Sequence, residues 1–112
     1  MISRNLRTAG RKKVIDKAIF AYGSNGSYLN ISNLVSNTGV VSADVTGVGT
    51  ARVAGSAAGY GTDKAIFAYG QTSISVFTNA SNLVSNTGVV ATDTAGVGTA
   101  RAGAGGAGYG ST

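Results

Sequence analysis

The chain contains no cysteine, histidine, glutamate, proline or tryptophan. Without cysteine, neither a disulfide framework nor a thiolate metal site can form. Without histidine and glutamate, the chain lacks the commonest metal ligand and the usual general base, so we expect no enzymatic activity, no metal site and no cofactor. The absence of proline leaves every backbone N–H available for strand pairing.

Long apolar runs are also missing. No stretch approaches the roughly 20 consecutive apolar residues that cross a bilayer as a helix. The N-terminus lacks the apolar core of a secretion signal. We therefore expect a soluble protein with no membrane partner.

Positive charge is concentrated at the start of the chain. The 112 residues carry a net charge of +5, and the cations that follow residue 15 are balanced by aspartates. The excess consists of Arg4, Arg7, Arg11, Lys12 and Lys13. We interpret residues 1–15 as a basic N-terminal arm, favoured as a solvated tail because no aromatic residue is interleaved to stack on bases. Contact with nucleic acid or another anionic surface stays open as an alternative.

The rest of the chain is a tandem repeat. The octapeptide that begins at Asp16 recurs at Asp63, 47 residues later, and reads DKAIFAYG in both copies. The decapeptide that begins at Ser32 recurs at Ser81, 49 residues later, and reads SNLVSNTGVV. GVGTAR and AGYG also occur twice. Repeat 1 covers residues 16–62 and repeat 2 covers residues 63–112, and a period of this length is typical of propellers and some solenoids.

Each repeat predicts four short strands and no helix, hence an all-β fold. The predicted strands are residues 18–22, 27–35, 40–41 and 51–61 in the first copy, and 65–69, 73–84, 89–90 and 100–110 in the second. We expect Gly23 and Gly70 to end the first strand of each copy, and Asn25-Gly26 to form a tight turn. Residues 71–73 form the matching loop in the second copy. Gly39 and Gly88 suit the left-handed position of a later turn.

The fourth predicted strand is built almost entirely from small residues. Residues 51–61 and 100–110 contain little besides glycine, alanine and serine until Tyr60 and Tyr109. Small side chains fit a strand that is squeezed by its neighbours, as the innermost strands of a radial sheet arrangement are.

These elements, in this order, resemble the kelch repeat of β-propeller proteins. An apolar strand ends in glycine, a turn of Asn-Thr type precedes two valines, and Arg52 or Arg101 opens the small-residue strand. One glycine stands in place of the usual pair, and glycine replaces the usual tryptophan after the turn. The phrases SNTGVV, GTAR and AGYG resemble kelch-like repeats of phage and environmental sequences, which makes a virion-associated location one expectation.

The resemblance implies where the blades of four strands begin and end. In kelch repeats the innermost strand comes first, so residues 51–92 make a complete blade and residues 17–43 lack an innermost strand. Residues 100–110 are then an innermost strand without a blade. Two such units cannot bury their own faces, so we expect the terminal segment to complete the first blade of a neighbouring copy. Repeating this contact closes a homo-oligomeric ring, and a trimer or a tetramer gives about six or eight blades, with the trimer slightly preferred.

Three classes of function follow. The first is a non-enzymatic structural or binding module that presents variable loops, for adhesion or for a glycan or protein ligand. The second is a recently duplicated or engineered propeller fragment whose property is self-assembly, and the third is a nucleic-acid or anionic-surface binder that uses the arm. The candidate binding residues are Ser24, Asn25, Tyr28, Gln71, Thr72, Phe77, Arg52 and Arg101. Asp44 and Asp93 are expected to form structural ion pairs with Arg52 and Arg101. The alternatives are Asp16 and Asp63, which lie next to Lys17 and Lys64 in the sequence.

Overall fold

A computed structural model describes residues 16–110 and shows an all-β protein, as predicted. Its strands are β1 (Ala18–Ala21), β2 (Ser32–Val35), β3 (Ser56–Tyr60), β4 (Lys64–Ser73) and β5 (Val76–Val84). β1 and β2 form a two-stranded sheet, and the others form a three-stranded sheet in the order β3-β4-β5. All pairs are antiparallel. The expected basic arm lies outside the described residues.

Corresponding residues of the two sequence copies pair in the same register. Ala18 lies opposite Val35 in the first sheet, and Ala65 lies opposite Val84 in the second. Isolated bridges then join Val35 to Val41 and Val84 to Val90 at the outer edges of the two sheets. The third predicted strand of each copy is thus present only as such bridges.

The turn before this outer edge has the predicted glycine geometry. Gly39 and Gly88 have φ angles of +86° and +83°, in the left-handed region that favours glycine. The hydroxyl of Ser36 accepts the backbone N–H of Val40 at 3.1 Å, and Ser85 does the same in the second copy. Identical local chemistry produces identical turns.

The hairpins of the two copies differ, and one prediction is wrong here. In the first copy a Ser24–Tyr28 bridge closes a short hairpin around Asn25-Gly26, as expected. In the second copy β4 continues to Ser73, and the chain turns at residues 74–75 rather than at residues 71–73. The longer variable segment is accommodated by extending the ladder, with one register shift between Ala68 and Gly70 and a second between Gln71 and Ser73.

Gly70 therefore does not end its strand. Its φ angle is +118°, and a Cβ atom at this position would lie 2.9 Å from the carbonyl oxygen of Val53. The glycine is required because another backbone approaches the bulged strand closely.

The two small-residue segments adopt different structures. The first contains β3, which is shorter than predicted and pairs with β4 from Ser56 opposite Ala68 to Tyr60 opposite Lys64. The second, residues 100–110, contains no strand, so that prediction is wrong for the single chain. It lies beside β3 instead: the backbone N–H of Gly103 donates to the carbonyl of Ala54 at 2.8 Å. Among the described residues, no strand pairs with this segment as β4 pairs with β3.

The apolar core of the described chain is small. Its buried hydrophobic residues are Val84 and Val90, whereas Phe20 and Val89 are each more than 60% exposed. The largest fully buried side chains are polar ones, Arg52 and Asn82. The contact between the two sheets therefore contains a buried cation, and beside it the rings of Tyr22 and Phe67 meet edge to face with centroids 5.5 Å apart.

Candidate functional site

Arg52 is the centre of a polar site between the two sheets. Its side chain is 1% exposed, and its guanidinium carbon lies 4.1 Å from the ring centroid of Tyr22, which follows β1. On the other side its Nη2 donates to Oδ1 of Asn82 on β5. A planar guanidinium can stack on an aromatic face and donate hydrogen bonds at its edge simultaneously, so one side chain joins the two sheets.

A second pair of contacts supports this junction. The hydroxyl of Thr50 donates to Oδ2 of Asp93 at 2.6 Å, and its backbone N–H donates to Oδ1 at 3.2 Å. The amide nitrogen of Asn82 donates to Asp93 Oδ1 at 2.8 Å and to the carbonyl oxygen of Ala91 at 3.1 Å. The loop at residues 50–52 is thereby attached to the far sheet by both a threonine and an arginine.

The electrostatics of the site follow from these bonds. Donation by the Thr50 hydroxyl is the main cause that lowers the pKa of Asp93 below its usual range, with further lowering from Asn82 and from the charge of Arg52. Burial raises the pKa of Tyr22, although the nearby Arg52 charge opposes this. At neutral pH the site holds an arginine cation, an aspartate anion and a neutral tyrosine.

The second copy repeats half of this arrangement. The guanidinium carbon of Arg101 lies 4.1 Å from the ring centroid of Tyr69, and its Nη1 donates to the carbonyl oxygen of Thr99 at 3.1 Å. Unlike Arg52, Arg101 is exposed. Among residues 16–110, no side chain accepts a hydrogen bond from it as Asn82 accepts from Arg52.

The expected ion pairs between arginine and aspartate are absent from the described part of the chain. The ion pairs found there join neighbours, Asp16 to Lys17 at 3.6 Å and Asp63 to Lys64 at 3.3 Å. Asp44 accepts a hydrogen bond from Asn33, and Arg52 is held by an amide and a ring instead. The expectation paired each arginine with an aspartate on charge alone, whereas the fold inserts an asparagine between them.

The other candidate binding residues lie on the two hairpins. Ser24, Asn25 and Tyr28 belong to the tight turn of the first copy, where the backbone N–H of residue 27 donates to Asn25 Oδ1 at 3.2 Å. Gln71 and Thr72 lie within β4, not in a loop. Phe77 lies opposite Gln71 on β5 and is 49% exposed. The exposed tip of the second hairpin is formed by Ile74 and Ser75, which are not among the predicted binding residues.

Each hairpin is attached at its base to a glycine-rich loop. The amide of Asn30 donates to the carbonyl oxygen of Gly49 at 2.8 Å, and the amide of Asn79 donates to that of Gly98 at 2.7 Å. A Cβ atom on Gly96 would lie 1.6 Å from Oδ1 of Asn79. These contacts place residues 47–49 and 96–98 against the hairpins.

An open cleft of about 700 Å³ separates β1 from β3. Residues 16–19 line one wall and residues 57–59 line the other, with Leu34 and Val84 at the base. The wall formed by β1 is an edge of the first sheet. The counterpart of this edge in the second sheet is the edge of β4, which pairs with β3.

Sequence reasoning missed Tyr22, Tyr69 and Asn82, the side chains that contact the two arginines. A signal was available, because the tyrosine, the asparagine and the arginine all recur in both copies. Within residues 16–110 no group of three or more acidic residues is placed to hold a metal ion, and no helix of that range is long and apolar enough to cross a membrane. Comparisons with protein-family models, with curated proteins and with solved structures found no match.

Proposed function

We propose that this chain is a non-enzymatic structural module that assembles with copies of itself into a kelch-like β-propeller ring and displays its hairpins on that ring. The observation that supports this proposal is a mismatch between the two sheets: the second has a small-residue strand, β3, beside β4, and the first has no strand beside the corresponding edge of β1. The chain also holds a second segment of the same composition, residues 100–110, that pairs with no strand among the described residues.

The register of β3 specifies how a second copy would complete the first sheet. Ser56 pairs with Ala68 and Tyr60 with Lys64. Transferred to the other repeat, this register places Gly105 opposite Ala21 and Tyr109 opposite Lys17 of the next copy. The backbone groups on the open edge of β1 would then gain ladder hydrogen bonds, which an exposed strand edge otherwise offers to any chain.

The cleft supports the same assignment. It lies between β1 and β3. A strand added there would run along one side of β3, and residues 103–108 of the same chain already run along the other side. A Cβ atom on Gly106 would lie 2.7 Å from the carbonyl oxygen of Ala57, so only small residues can follow this path. The segment that would enter the cleft consists of glycine and alanine up to Tyr109.

Exposed apolar surface is a further support. Val40, Val89 and Phe20 are each more than 60% exposed, whereas the buried hydrophobic residues of the described range 16–110 are two valines. Repeat units of this size bury their faces against neighbouring units, and about three or more are normally needed for stability. A ring of copies supplies those neighbours.

The solution mass of the 112-residue protein tests this proposal. Light scattering coupled to size exclusion should give a closed trimer or tetramer, and a chain truncated before residue 100 should remain monomeric because the exchanged segment is gone. A wild-type protein that stays monomeric and folded at high micromolar concentration would refute the ring.

Ligand binding by the hairpin tips is a second candidate function. The two copies are nearly identical in their frame but differ in the hairpins, and the tip residue Ile74 is 85% exposed. Constant frames with varied loops are typical of binding proteins. Screening the assembled protein against glycan and protein arrays, beside an Ile74→Ser and Phe77→Ser double variant, tests this role; binding that the double variant retains would place the site elsewhere.

A further inference from the structure

We propose that Asn33 and Asp44 form a receptor site for Arg101 and Thr99 of a second copy of this chain. This inference rests on the ring proposed above and names the polar contact that determines which surfaces meet. The evidence is an internal template: the chain already contains one complete example of the contact, between its own two repeats.

The template has a donor side and an acceptor side. The donor side is the loop with Thr50 and Arg52, which is backed by the Tyr22 ring. The acceptor side is the pair Asn82 and Asp93, which receives Arg52 at the amide oxygen and Thr50 at the carboxylate. Contact between the two sides buries Arg52 to 1% exposure.

The acceptor side exists a second time, preformed. The amide nitrogen of Asn33 donates to Asp44 Oδ1 at 2.8 Å and to the carbonyl oxygen of Ser42 at 3.1 Å. The amide of Asn82 makes the corresponding bonds, to Asp93 and to Ala91, with the same two distances. The orientation of Asn33 is thus set so that its Oδ1 faces away from these bonds, and no donor within residues 16–110 reaches that oxygen.

The donor side also exists a second time. Arg101 stacks on Tyr69 at the same 4.1 Å that separates Arg52 from Tyr22. Thr99 and Arg101 belong to the repeated hexapeptide GVGTAR, so the donor groups and their spacing are identical to those of Thr50 and Arg52. Within the described chain, however, Arg101 is exposed and Thr99 makes no hydrogen bond to an aspartate.

The two unused halves are complementary in charge and in hydrogen bonding. Arg101 offers a cation and a fork of donors, and the receptor site offers a carboxylate and a free amide oxygen. Within one chain the halves do not touch. A second copy placed head to tail brings them together, and the same operation brings residues 105–109 to the open edge of β1.

Head-to-tail contact of this kind is directional. Each copy uses its Arg101 once and its Asn33 once, so the interface is heterologous and excludes a face-to-face dimer; it forms the proposed ring when the rotation between successive copies closes. An arginine buried against a partner that lacks the acceptor would be left without its hydrogen bond. The contact therefore disfavours other partners and determines specificity.

The test compares the assembly of Arg101→Ala, Asn33→Ala and an Asn37→Ala control in the full-length protein by sedimentation velocity. Asn37 lies in the exposed turn that follows β2 and makes no side-chain hydrogen bond among the described residues, so its replacement should leave the dissociation constant unchanged. We expect Arg101→Ala and Asn33→Ala each to raise the dissociation constant by about 30-fold or more per interface, the loss typical of truncating one partner of a buried charged hydrogen bond. Far-UV circular dichroism of the isolated variants verifies that each remains folded.

Mixing the variants gives a second readout. An Asn33→Ala chain keeps its donor side and an Arg101→Ala chain keeps its acceptor side, so an equimolar mixture has one intact interface per pair and should form heterodimers. If the mixture contains only rings, or only monomers, the assignment is contradicted. If the wild type assembles and all three variants assemble equally well, the receptor site is refuted while the ring stands; a monomeric wild type refutes both.

Discussion

Replacing Asn82 by alanine is the most direct test of the junction between the two sheets. Asn82 is completely buried on β5 and makes three side-chain hydrogen bonds. Two are donated by its amide nitrogen to Ala91 and Asp93, and the third is accepted by Oδ1 from Arg52. Alanine is compatible with the strand and removes all three at once.

The three bonds do not contribute equally. Asp93 lies near solvent and Ala91 is exposed, so water can replace the lost amide and each of these bonds is worth about 1 kcal/mol or less. Arg52 is 1% exposed and cannot be hydrated without separating the sheets. A hydrogen bond to a charged group contributes about 1.5–3 kcal/mol. We therefore expect a total loss of about 3 kcal/mol in the free energy of unfolding.

Urea unfolding at a fixed protein concentration measures this loss. With a slope of about 1–3 kcal/mol per molar urea, the midpoint of unfolding should fall by about 1–3 M. Tyrosine fluorescence and far-UV circular dichroism follow the transition. A loss of less than about 0.5 kcal/mol, the range of a surface substitution, would show that Arg52 is not held by Asn82 and would refute the junction.

Asn33→Ala is the matched control. It removes the same two amide bonds but, in the single chain, no bond to arginine. Under conditions that keep the chain monomeric we expect it to cost about 1 kcal/mol. Where copies assemble, the two variants should converge, because Asn33 then receives Arg101 of the next copy.

Three further predictions concern single contacts of the described chain. Gly96→Ala should lower the free energy of unfolding by about 1–3 kcal/mol, measured by chemical denaturation, because the new Cβ overlaps the Asn79 side chain; an unchanged midpoint would contradict this packing. Tyr22→Phe should lower the free energy of unfolding by about 0.5–1.5 kcal/mol in the same assay, since it removes the 3.1 Å bond to the carbonyl of Val48 but keeps the ring under the arginine. A loss as large as that of Tyr22→Leu would mean that the hydroxyl matters more than the ring. Because the pKa of Asp93 is lowered in the folded state, the unfolded chain binds more protons there: the stabilisation is present above about pH 4 and is lost as the pH falls through the folded pKa. Asp93→Asn should flatten that part of the stability curve, and an unaltered acid limb would argue against the pKa shift.

Part of the fold was predictable because it depends on local chemistry. The apolar strand at residues 18–21, the left-handed glycines of the turns and the absence of helix follow from short-range preferences that the repeat states twice. The hairpin of the second copy was not predictable in the same way. Residues 71–73 contain turn-compatible side chains, but pairing with β5 outweighs that preference and moves the turn to Ile74 and Ser75.

Some residues of the candidate site were predicted correctly, but the contacts between them were not. Arg52, Arg101, Asp44 and Asp93 were chosen for their charge, and two of them do lie at the junction. Their pairing was wrong, because a buried arginine needs acceptors with defined geometry, and the amide of Asn82 supplies one where it is oriented by Asp93.

By itself, the sequence determined that the chain is a duplicated all-β protein with neutral repeats, since these properties follow from composition, spacing and local turn chemistry. Only the tertiary structure decided which copy of each repeated residue finds its hydrogen-bond partners. Arg52 is buried and bonded whereas Arg101 is exposed, although their neighbours in sequence are identical. The reason is that Arg52 contacts the repeat that follows its own, and among the described residues Arg101 has no such repeat beside it.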